Sequence, residues 1–143
     1  MGILTDLFVA DPKDADTYEA LQLKGAINPE RFDRAEFKGL TDLNFGILWA
    51  IIEDKDWDPE THSLETISLE EPGETWLFRF PAALVSQLSS LDSSQVSQLA
   101  EAWAATEELR CQPSDIEPVV RELVRLANVA TRDGKGLYLW GSL

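Results

Sequence analysis

The densest run of side chains that could do chemistry is Asp54-Lys55-Asp56-Trp57-Asp58-Pro59-Glu60. It sits in a longer acidic segment, residues 53–74, which carries nine acids and one base. Clustered carboxylates bind hard cations, so calcium is the first chemistry to weigh. With Asp54 as the first position of an EF-hand loop, Asp56, Asp58 and Glu65 fall on its other acidic positions. The tight turn that motif needs is missing, because Pro59 stands where glycine belongs and proline has a fixed negative φ. The residues that follow also read as a strand rather than an exiting helix. The run is therefore expected to be a solvated acidic loop anchored to the core by Trp57, with no metal site. An aromatic among acids, Trp57 between Asp56 and Asp58, can also serve as a contact for a basic partner.

A second lead is Glu107. On a helix read from Ser93 to Arg110, the residues Val96, Leu99, Ala100, Trp103 and Ala104 make an apolar arc, and Glu107 falls in its middle one turn after Trp103. A carboxylate facing a core is either paired or held protonated, and the second state suits general acid–base work. Arg110 three residues on favours a paired, structural role.

Other chemistry is poorly supplied. One histidine, His62, and one cysteine, Cys111, cannot furnish a zinc ligand set. A Cys–His pair would need the fold to bring the two together, and His62 is expected on an exposed loop. There is no G-x-S-x-G elbow, G-x-G-x-x-G loop or P-loop. Gly134-Lys135-Gly136 reads as a helix stop. No catalytic residue and no cofactor are assigned.

Composition sets the wider limits. The chain has 143 residues, suited to one domain spanning residues 1–143, and its net charge is −14. That charge repels nucleic acid and anionic membranes, and would steer a basic partner toward the protein. The lone cysteine fits a reducing compartment. The first ten residues lack the features of a targeting signal, and the apolar run Phe45–Ile52 is too short for a membrane span, so the cytoplasm is the expected location.

The elements that must hold these groups follow from periodicity. Residues 3–10 carry apolar side chains on both parities, as a strand buried on both faces does. Asp11-Pro12 opens a helix to about Leu23, before Gly25, and Asn28-Pro29 repeats that start for a short helix through Arg31 to Phe37. Thr41 or Asp42 caps a third helix, to Ile52. Residues 64–69 and 75–80 form a hairpin around Glu70-Glu71-Pro72-Gly73-Glu74, with Trp76, Phe78 and Phe80 on one face. Helices follow from Pro81 to near Leu91, from Asp92 with Gln95 as a capping box, and from Ser114 with Glu117 as another, the last reaching Arg132. On that last helix Arg121, Arg125 and Arg132 line up opposite the apolar stripe, which reads as a solvated face. Leu137–Trp140 makes a final strand. The fold expected is α+β: a small, mainly antiparallel sheet of about four strands covered on one side by helices.

Two classes of function remain. The first is a non-catalytic interaction module, of adaptor, inhibitor or immunity type, that binds a basic protein. The second is a small enzyme or ligand-binding domain centred on a carboxylate, at Glu107 with Trp103 or at the acidic loop with a divalent metal. A homodimer formed at the edge carrying Trp140 is a further expectation.

Overall fold

Strand β1 (Leu4–Ala10) is the hinge of the architecture, because its two faces bury different partners. Leu7 and Val9 face one hydrophobic cluster, and Phe8 and Ala10 face a second. This two-sided burial is what the mixed parity of residues 3–10 implied. The computed structural model describes residues 3–23, 32–70 and 74–143. After β1 come a 3₁₀ turn (Pro12–Asp14), α1 (Ala15–Leu23), β2 (Arg34–Lys38), α2 (Asp42–Ile52), β3 (Glu65–Glu70) and β4 (Thr75–Arg79). The chain continues with α3 (Ala82–Ser89), α4 (Ser93–Ala104), α5 (Pro113–Asp133) and β5 (Gly136–Ser142).

The strands form one sheet in the order β2-β1-β5-β4-β3, and every neighbouring pair is antiparallel. The α+β class and the 64–80 hairpin are as expected; the residues of its turn, 71–73, lie outside the described residues. The fifth strand corrects the sequence reading. Residues 34–38 are β2, not the second half of a short helix. Ala35 and Phe37 turn toward the larger core while Arg34 and Glu36 alternate with them. That period of two, paired with β1 from Leu4↔Lys38 to Phe8↔Arg34, outweighs the local start signal at Asn28-Pro29, which lies outside the described residues.

Helices cover both faces rather than one. The larger core joins Leu7, Val9, Phe78, Phe80, Leu137 and Leu139 of the sheet to α2, α3, α4 and α5. The opposite face packs Phe8, Leu77, Tyr138 and Trp140 against Ala15 and Tyr18 of α1 and against Phe32. Phe8 stacks on Tyr18 with ring centroids 3.8 Å apart, and on Tyr138 with centroids 5.3 Å apart.

The terminal strand is central. β5 pairs with β1 on one side and β4 on the other, and Trp140 is 3% exposed beneath the α1 layer. Trp140 therefore forms no sheet edge, and the expected dimer contact through it is corrected. At the helix ends, Asp92 and Gln95 form their capping box, Gly134 closes α5 at φ +66°, and α5 begins two residues earlier than Ser114–Glu117 implied. Gln112 is its cap, with Pro113 in the first turn. Glu117 instead accepts from Ser97 of α4 and pairs with Arg121. Arg125 pairs with Glu122 and Arg132 with Asp133, so the basic stripe is exposed and locally neutralised.

Candidate functional site

The acidic loop leaves α2 through a defined helix end. Lys55 N–H donates to the Ala50 carbonyl and Asp54 N–H to the Ile51 carbonyl, which is the Schellman arrangement. Asp54 occupies its left-handed position at φ +55°, where a short polar side chain is better tolerated than a branched one. This turn throws Asp54 and Asp56 outward, and both are exposed.

Asp58 then folds the chain back. Its carboxylate accepts from the Glu60 N–H at 3.0 Å and from the Thr61 hydroxyl at 3.1 Å. Those bonds, the Glu60 amide foremost, hold its pKa below the usual aspartate value. Asp58 is a turn builder whose carboxylate is already engaged, whereas Asp54, Asp56 and Glu60 make no ion pair among the described residues.

His62 locks the loop from beneath. It is 3% exposed, not the solvated loop histidine expected. Nδ1 accepts the Asp58 backbone N–H at 3.1 Å, so the ring proton sits on Nε2 and donates to Glu53 at 2.8 Å. Glu53 also accepts from Gln87 of α3 at 3.1 Å. The Gln87 and His62 bonds together hold the Glu53 carboxyl below its ordinary range. The His62 and Trp49 rings meet edge to face with centroids 5.5 Å apart. The sequence concealed this lock because Glu53, His62 and Gln87 belong to three different segments; the polar pair Glu53 and His62 flanking an acidic loop was its only local trace.

Close approach of α2 completes the support. A Cβ added to Gly46 would stand 2.3 Å from the His62 carbonyl oxygen and 3.4 Å from the Trp57 Nε1, so α2 packs directly on the loop backbone at a position without a side chain. Trp57 leans over this contact yet stays 42% exposed. It is thus half anchor and half contact surface, combining the two roles the sequence offered for it. The result is a rigid base carrying exposed carboxylates around a half-exposed indole. Among the described residues no group of three or more His, Cys, Asp or Glu converges as metal ligands.

The other lead falls elsewhere. α4 ends at Ala104, and Glu107 lies in the following turn, exposed to solvent rather than on the core-facing arc. The Trp103 carbonyl accepts from Thr106 N–H and Oγ, which turns the chain before Glu107 can join the apolar face. Trp103 is fully buried, with its Nε1 donating to the Asn44 carbonyl at 3.1 Å. Trp103 and Glu107 therefore make no joint site. Cys111 is half-buried, and burial pushes its thiol pKa up, away from nucleophilic character.

A polar cluster missed by the sequence reading lies under α1. Asp6, 3% exposed in the middle of β1, accepts from the Tyr18 hydroxyl at 2.6 Å and the Gln22 amide at 2.8 Å. Arg34 of β2 donates to the Tyr18 oxygen at 3.0 Å, stands 3.6 Å from Asp6, and bonds to Glu36. Burial raises the Asp6 pKa against the opposing pull of Tyr18 and Arg34, and burial followed by the Asp6 bond raises that of Tyr18. Asp6, Tyr18, Gln22 and Arg34 fasten α1 to the sheet beside the cluster of Phe8 and Phe32. No helix of the described residues is long and apolar enough to cross a membrane. No protein-family model, no curated protein and no solved structure matches this chain.

Proposed function

We propose that the protein is a non-catalytic interaction module whose acidic surface, from the 53–62 loop into β3, receives a basic protein partner. One observation carries this reading: Asp54, Asp56 and Glu60 project from a backbone braced by His62, Glu53 and Gly46, and make no ion pair among the described residues. A braced loop presents its charges with little ordering cost on binding, so they serve recognition more than raw stability. Trp57, half exposed among those charges, supplies the apolar contact such interfaces centre on. The net charge of −14 turns nucleic acid away and fits a cytoplasmic protein that meets a cationic surface.

A titration of the ¹⁵N-labelled protein with deca-lysine, followed amide by amide, tests where a polycation goes. The expected result is a set of shifts concentrated at residues 54–60 and the Trp57 indole, lost at about 0.5 M salt, where charges are screened beyond a few ångströms. Shifts scattered evenly over all exposed acids would show that the loop has no privileged role.

A further inference from the structure

The two edges of the sheet are finished differently. At one edge, Arg125 of α5 donates to the Arg34 carbonyl of β2 at 3.3 Å. At the other, β3 pairs with β4 alone, and no backbone hydrogen bond outside that ladder involves residues 65–70 among the described residues. An unpaired strand edge is a template for another extended chain. This one is also apolar: Ile67 is 42% exposed and Leu69 is 62% exposed.

Beside the edge lies a cleft of about 180 Å³, floored by Trp76 and Phe78 and rimmed by Leu69, Thr41 and Asp42. Small-molecule sites run to roughly 300–1,000 Å³, so this space suits one inserted side chain rather than a whole ligand. An exposed edge with a pocket for a side chain is the arrangement by which sheets recognise extended peptides.

Charge selects the occupant. Glu65 opens β3, the strand carries no base, and the 53–62 loop that leads into it carries five acids and one base. A second copy of this edge would bring like charge onto like charge. We propose that β3 receives an extended, Lys- or Arg-rich segment of the partner as a sixth strand, with one aliphatic side chain of that segment seated between Leu69 and the start of α2. This rests on the acidic-surface reading and gives it a binding mode. Main-chain bonds to β3 hold the segment, the cleft selects an aliphatic residue, and the neighbouring carboxylates select basic ones.

The test uses a synthetic peptide of alternating lysine and valine, with hydrogen exchange of the β3 amides as the readout. Expected are at least tenfold slower exchange of those β3 amides not bonded to β4, loss of that protection in Leu69→Lys, and roughly tenfold weaker binding at about 0.5 M salt. Leu69 is exposed enough that this variant keeps the fold, which circular dichroism checks. Binding that shifts residues 54–60 but leaves β3 exchange unchanged would overturn the sixth strand and leave the acidic-surface reading standing. No binding would overturn both. Protection of β3 without peptide, accompanied by a dimer in sedimentation, would overturn the proposal in favour of self-pairing.

Discussion

Replacing Gly46 by alanine is expected to destabilise the protein by about 3 kcal/mol, and to lower its melting temperature by about 10 °C, although alanine is the better helix former by about 1 kcal/mol. The reason is contact. The new methyl would stand 2.3 Å from the His62 carbonyl oxygen, a backbone atom that no side-chain rotation can move. His62 cannot retreat cheaply either, since Nδ1 holds the Asp58 amide and Nε2 holds Glu53. Something must open: either α2 shifts in the core, where Phe45 and Leu48 are buried, or the loop lifts and takes Trp57 with it. Thermal unfolding gives the magnitude, and amide shifts at residues 57–62 show which side yields. A gain in stability near 1 kcal/mol, the bare propensity difference, would mean that the helix does not sit on the loop.

Arg34→Met is expected to cost about 3 kcal/mol near neutral pH, because it removes the cation from a buried carboxylate without removing the carboxylate. Asp6 would keep Tyr18 and Gln22 as donors, but its charge would lose the guanidinium 3.6 Å away. Two consequences separate this from simple loss of packing. The first is coupling: Asp6→Asn in the Arg34→Met background should restore about 1–2 kcal/mol, since it deletes the stranded charge. The second is pH. The Asp6 pKa in the fold already lies above its ordinary value because of burial, and loss of Arg34 raises it further. A carboxyl raised in this way stabilises the fold fully below its unfolded pKa of about 3.9, and that contribution is lost as pH rises through the folded value. The deficit of Arg34→Met should therefore shrink as pH falls toward 4. Denaturant midpoints of the wild type, both single variants and the double variant across pH 4–8 supply the cycle. A deficit independent of pH and unrelieved by Asp6→Asn would assign Arg34 a packing role only.

The elements whose signals are local were legible in the sequence. The apolar stripe of α5 from Ile116 to Ala130, the Asp92–Gln95 box and the shared face of Trp76, Phe78 and Phe80 all appear where periodicity and capping place them. Illegible were features decided by distant partners. β2 is an edge strand whose alternation over Arg34–Lys38 is only five residues long, and pairing with β1 stabilises it. Asp6 meets Tyr18 and Gln22 from 12 and 16 residues away, so its burial leaves no periodic trace except a charge inside a strand otherwise apolar on both faces.

The candidate site divides in the same way. The acidic run was visible as composition, but Asp54, Asp56 and Glu60 differ from Asp58 only in what their oxygens touch. Glu107 was misplaced because extending the helix to Arg110 carried its 100° periodicity past the real end at Ala104. Trp140 was misplaced because the last strand in sequence is the middle strand in space.

The most direct measurement is affinity capture from native lysate of the source organism, at low salt and at about 0.5 M salt, with the wild-type protein and the Asp54→Asn/Asp56→Asn variant as parallel baits. Both substituted carboxylates are exposed and unpaired among the described residues, whereas Asp58 is left intact because it builds the turn. The result expected is a basic protein retained by the wild type at low salt, released at high salt, and held about tenfold less by the variant. A partner held equally by both baits, or one indifferent to salt, would contradict an acidic-surface interaction module.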